Sequence, residues 1–205
     1  MTMTLHEFAP SGNCYKIRLI AALTGRTLNR RHYDILNGET RTPAFLREIN
    51  ANGRIPVLEL EDGRKLPESN AALFYLAQGS PYWPADAWTQ ARVLQWLFFE
   101  QYSHEPNIAT PRFWLAHVGA DNLSDLQRAL LPGKMAQGHA ALQLMEDALT
   151  ATPWLVDSIP TIADIALYAY THVAPDAGFD LDRYPHIQAW LARVERLPGY
   201  QPMTV

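Results

Sequence analysis

The chain has 205 residues, 48% of them apolar and 19% charged, with a net charge of −4; this balance is ordinary for a globular protein and offers no basic footprint for nucleic acid or an anionic membrane. Its single cysteine, Cys14, excludes an internal disulfide framework and a multi-cysteine metal site. No apolar run approaches the ~20 residues that span a bilayer, and the opening residues lack the basic and apolar regions of a secretion signal, so a reducing, cytoplasmic setting is expected.

The first third alternates strand and helix. Thr4 to Phe8 has partial period-2 character and ends at Pro10-Ser11-Gly12, a turn. From Asn13 a helix is expected, with Ile17, Ile20 and Leu23 on one face and Gly25 as its stop. Arg30 to Ile35 reads as a second strand. Thr42-Pro43 opens a second helix, Thr as N-cap and Pro at the first helical position, with Phe45, Leu46 and Ile49 inward. Val57–Leu60 and Arg64–Leu66 flank Asp62-Gly63, a hairpin signal. A third helix is expected from Ser69 to Gln78, stopped by Gly79. The order β-α-β-α-β-β-α implies a mixed sheet covered by helices.

After Gly79-Ser80-Pro81-Tyr82-Trp83-Pro84 the pattern is helical only. Trp88 to Tyr102 is apolar on more than one stripe, as in a helix buried on two sides, one of them a candidate subunit interface. Pro132-Gly133 is expected to interrupt the next region and start a helix carrying Met135, Leu142, Met145 and Leu149, with His139 a core histidine on that stripe. Thr161 and Asp164 have capping-box spacing, a cap whose loss costs ~1 kcal/mol. A last helix, Pro185 to Leu197, buries Ile187, Trp190, Leu191 and Val194. The expected domains are 1–79, a linker at 80–86, and 87–205.

Two segments have the chemistry of a ligand site. In Asn52-Gly53-Arg54-Ile55-Pro56-Val57-Leu58 the proline holds Ile55 extended and leaves its N–H and C=O seeking partners. Glu68-Ser69-Asn70-Ala71 opens a helix whose N–H groups and positive dipole end favour a carboxylate. Together they suit a small peptide-like ligand.

With Ser11-Gly12-Asn13-Cys14 and with Trp154-Leu155 through Thr161-Ile162-Ala163-Asp164, these segments stand in an order and spacing that resembles the soluble glutathione transferases over essentially the whole chain, and among them the bacterial, theta/nu-like proteins with a serine near the N-terminus. The resemblance implies an α/β thioredoxin-like N-terminal domain followed by an all-α domain, a cis bond before Pro56, a homodimer, and a glutathione co-substrate with no metal. By similarity, Ile55 pairs its backbone with the cysteinyl part of glutathione, and Ser69 takes the γ-glutamyl carboxylate. Glu68 takes the γ-glutamyl amine. Arg54 takes the glycine carboxylate, a contact to which Thr40 and Arg41 are further candidates.

The implied chemistry is activation of a thiol whose unperturbed pKa is ~8.5. Ser11 is the favoured hydrogen-bond donor to the sulfur and Asn13 the alternative. Cys14 reads as a small buried apolar group rather than a nucleophile; if reactive, it would turn the protein toward disulfide reduction. Pro10, His104, Arg112 and Phe113 are candidates for an electrophile pocket, although His104 reads equally as part of a solvated loop, and Phe113 as core. A transferase, a glutathione-dependent reductase or peroxidase, and a non-catalytic binding protein of the same fold are the functions to separate.

Overall fold

The computed structural model describes residues 2–203. They divide into two compact units, one running to Trp83 and resumed from Leu197, the other covering Pro84–Arg196.

The first unit has a four-stranded sheet in the order β2-β1-β3-β4, made of β1 (Thr4–Glu7), β2 (Asn29–His32), β3 (Val57–Glu59) and β4 (Lys65–Pro67). β1 runs parallel to β2, reached through helix α1 (Gly12–Leu23), and antiparallel to β3, which follows α2 (Pro43–Glu48). β3 and β4 form the hairpin turned at Asp62-Gly63, and α3 (Ser69–Ala77) closes the unit. Leu5, Val57 and Leu58 of the central strands are fully buried, as are Ile17 and Ile20 of α1 and Leu73 and Leu76 of α3. The expected βαβαββα order holds.

Charge is used inside this unit as well. Glu7 at the end of β1 is buried and bonded by Arg18 of α1 and Arg30 of β2, so one carboxylate ties helix to sheet. His6 is buried and its pKa is lowered by desolvation, which keeps the ring neutral. Its Nδ1 then accepts from the Tyr33 hydroxyl at 2.9 Å and its Nε2–H donates to Glu59 at 2.8 Å. The residues from Leu197, expected with the helical domain, belong instead to this unit: the Tyr15 hydroxyl donates to the Gln201 carbonyl at 2.6 Å.

The second unit is helical: α4 (Ala87–Phe99), α5 (Glu105–Arg112), α6 (Asp125–Leu149), α7 (Ile162–Thr171) and α8 (Pro185–Val194). Two sequence expectations fail here. The helix expected to end near Tyr102 continues through a π-helical stretch, Glu100–His104, into α5 and a second one, Phe113–Gly119. A π-turn adds a residue to one loop of the ladder, a change of register that apolar periodicity does not reveal. The helix expected to start at Pro132-Gly133 starts seven residues earlier, at a Ser124–Gln127 capping box, and runs through Pro132. Pro132 is exposed, so the helix carbonyl it leaves unbonded can face water, while Leu142, Met145 and Leu149 stay buried. Gly138 is needed for close packing against α5: a Cβ there would lie 2.6 Å from the Asn107 carbonyl and 2.5 Å from the Phe179 ring.

α7 is the core of this unit, buried along its whole length. The Thr161 hydroxyl accepts from the Ala163 N–H at 3.2 Å, and the Asp164 carboxylate accepts from the Thr161 N–H at 2.8 Å, closing a reciprocal cap. Asp164 also accepts from the Leu155 N–H at 3.0 Å and the Trp190 indole N–H at 2.9 Å. His139 is half-buried and bonded to the Tyr184 hydroxyl at 2.9 Å, the satisfied role expected of it.

Candidate active site

The first turn of α1 and the first turn of α3 meet in the first unit. Ser11 caps α1 from extended backbone (φ −77°, ψ 124°), and its Oγ accepts from the Cys14 N–H at 3.4 Å. Asn13, half-buried in the first turn of α1, accepts at Oδ1 from the Ser69 hydroxyl at 3.2 Å. Pro10 is half-buried in the turn before Ser11.

Ser69 is 4% exposed and stands at the start of α3, directly after Glu68. Glu68 has φ 71° and ψ 115°. A side chain in that region costs on the order of 1–3 kcal/mol and persists where the surroundings enforce it, a pattern concentrated at binding and catalytic sites. The twist leaves the Glu68 side chain exposed beside the buried Ser69, at the helix end where the backbone dipole is positive.

The Ile55 loop supplies the extended segment. The Ile55–Pro56 peptide is cis, and Pro56 is buried at the start of β3. Asn50 Nδ2 donates to the Arg54 carbonyl at 2.9 Å, and Arg41 Nη1 donates to the Asn52 carbonyl at 3.0 Å. Gly53 between them has φ 63°, and a Cβ there would lie 2.6 Å from Arg41 Nη1. Arg41 therefore braces the loop that carries Arg54 and Ile55. Arg41 and Arg54 are exposed, whereas Thr40 is buried on its 3-10 turn.

Cys14 is fully buried, and burial pushes its thiol up to about 12, with the Phe8 N–H and the Ser11 hydroxyl only partly offsetting the loss of solvent. Almost none of it is thiolate at neutral pH, and thiolate is the nucleophile.

The residue that sequence reasoning missed is Lys16. It is 0% exposed, on the buried face of α1, and its Nζ donates to Ser69 Oγ at 3.2 Å and to Asn70 Oδ1 at 3.3 Å. A lysine between the buried Tyr15 and Ile17 was the available signal, since lysine is almost never fully buried without a role.

The remaining expected pocket residues lie in the second unit. His104 is fully buried, its Nε2 2.9 Å from the Thr171 hydroxyl. It is not in a loop: it ends the first π-helical stretch, which turns it inward. Arg112 is buried and paired with Asp176 at 2.9 Å, and Phe113 is half-buried with its ring 5.8 Å from that of His117. Among the described residues no cluster of side chains suits a metal ion, and no helix is long and apolar enough to cross a membrane.

The family models for the N-terminal and C-terminal domains of glutathione S-transferases match residues 1–78 and 110–198. The chain belongs to the glutathione S-transferase family. A glutathione S-transferase-like protein of Fusarium is 32% identical, over 92% of this chain and 86% of its own length. A crystal structure of a glutathione S-transferase from Pseudomonas fluorescens is 49% identical, covers 100% of both chains and superposes with a TM-score of 0.94. One from Xanthobacter autotrophicus is 42% identical, covers 98% of this chain and 97% of its own, and has a TM-score of 0.92. The thioredoxin-like sheet and the helical second domain are those of this family.

Proposed function

We propose that this glutathione S-transferase binds glutathione on its first unit and holds the thiol as thiolate for attack on an electrophilic small molecule. The observation that carries the reading is the strained Glu68 at the head of α3, since a ligand-free helix start has no need of positive φ at a glutamate. In this reading Glu68 meets the γ-glutamyl amine and Ser69 its carboxylate. Ile55 pairs with the cysteinyl backbone, Arg54 meets the glycine carboxylate, and Ser11 or Asn13 donates to the sulfur. Burial of Cys14 favours conjugation over disulfide exchange, because a mixed disulfide needs an accessible thiolate.

Assays with an aryl halide and with a glutathione mixed disulfide separate the two chemistries. Cys14→Ala is expected to keep conjugation within about twofold, a change well under one pKa unit's worth of energy. Loss of conjugation in that variant, with disulfide reduction the stronger activity of the wild type, would make the protein a reductase.

The reading includes a cytoplasmic homodimer. On α4 and its π-helical continuation, Leu94, Phe98 and Tyr102 lie four residues apart and are 39%, 70% and 87% exposed, an apolar stripe left uncovered by the single chain. Beside it a cavity of about 430 Å³ opens between this helix and α6, lined by Phe99, Tyr102, Ala141 and Leu144. Equilibrium sedimentation is expected to give twice the chain mass of 23.2 kDa; a single-chain species at all concentrations would refute the dimer.

A further inference from the structure

We infer that Lys16 is a positioning residue of the carboxylate subsite: it holds the Ser69 hydroxyl, and through it Asn13, and places a buried positive charge behind the γ-glutamyl carboxylate. The inference rests on the glutathione reading given above and adds to it a residue and a coupling.

The geometry is a chain of three side chains. Lys16 Nζ donates to Ser69 Oγ at 3.2 Å, and Ser69 donates to Asn13 Oδ1 at 3.2 Å. A serine hydroxyl has one proton. When a carboxylate arrives at the start of α3 and takes that proton, the bond from Ser69 to Asn13 is given up, while the bond from Lys16 remains because it uses the serine lone pair. The ammonium polarises the hydroxyl it donates to, which makes Ser69 a stronger donor to an anion. Being 0% exposed, its charge is screened little by salt. It stands beside the positive end of α3, so an anion there meets the helix dipole and a full charge together.

The second consequence is coupling. Asn13 is one of the two candidate donors to the thiol, and its amide oxygen accepts from Ser69. Occupation of the carboxylate subsite therefore changes what orients the amide at the thiol subsite. A ligand without the γ-glutamyl carboxylate leaves the bond from Ser69 to Asn13 in place.

Calorimetric titration of the full-length protein with glutathione, and with γ-aminobutyryl-cysteinylglycine, which lacks only that carboxylate, tests this. Lys16→Gln is expected to weaken glutathione binding about tenfold or more, the loss of one charge-assisted contact. It should change binding of the analogue by less than about twofold, since the charge has no anion to act on there. Lys16→Arg should recover most of the glutathione affinity. Equal losses for both ligands, or no loss for either, would overturn the assignment and leave Lys16 a packing residue. A measurement on the wild type guards against a variant that does not fold: the Lys16 Nζ resonance should shift on adding glutathione and stay in place with the analogue. Equal shifts with both ligands would also overturn it. Absence of glutathione binding by the wild type would instead remove the glutathione reading itself.

Discussion

Replacing Asp164 with alanine is expected to destabilise the helical unit by about 4 kcal/mol or more, enough to unfold it under mild conditions, because the loss of one carboxylate strands three buried donors at ~1–3 kcal/mol each. The donors are the Thr161 N–H, the Leu155 N–H and the Trp190 indole N–H, on residues that are 0%, 1% and 0% exposed. Burial raises the pKa of Asp164 while the surrounding donors act to lower it. Four hydrogen bonds directed at one carboxyl group suit the acceptor-only ionised form. Removing the charge together with its donors' acceptor differs from removing a surface cap, which costs ~1 kcal/mol. Urea unfolding followed by helical circular dichroism gives the value, and a loss below about 1 kcal/mol would show that the group is not the hub described.

The second large effect is expected from Ser11→Ala. A hydrogen bond to a charged group contributes about 1.5–3 kcal/mol, so its loss raises the bound thiol by roughly one to two pKa units. Below the raised pKa the rate follows the thiolate fraction, and because the wild-type thiol is already mostly ionised at neutral pH, conjugation there should fall roughly 3–30-fold. The sign of the pH dependence is fixed: the deficit shrinks as pH rises through the new pKa and the thiol ionises unaided. A deficit that stays constant up to pH ~9 would instead mean lost binding or a damaged helix. Ser11 also caps α1, so about 1 kcal/mol of stability goes with it and is read separately by thermal melting. Asn13→Ala should have the smaller effect; the reverse order would move the donor role to Asn13.

The parts of this protein legible in its sequence are those set by local chemistry. Asp62-Gly63 turned the hairpin, Thr42-Pro43 opened α2, and Thr161 with Asp164 capped α7, each because a few adjacent residues determine the backbone there. The Asp164 cap was readable only in part, as Leu155 and Trp190 come to it from 9 and 26 residues away. Pro132 misled for a related reason. A proline weakens a helix locally, but α6 is held by a buried face far from that turn, and packing prevailed over propensity. The π-helical stretches that turn His104 inward leave no mark in a 3.6-residue pattern. At the candidate site, Ser11, Asn13 and Ser69 stand out in the sequence as motif residues, whereas Lys16 is hidden by its position in an apolar helix face, where only the fold shows what it touches.

The most direct test of the central claim is the ionisation of glutathione bound to the wild-type protein, followed by the ultraviolet absorbance of the thiolate as pH is raised. Saturable binding is expected, with a bound thiol that titrates about two units below the free value of ~8.5. A thiol that titrates at its free value while bound would contradict it, and so would the absence of binding at millimolar glutathione.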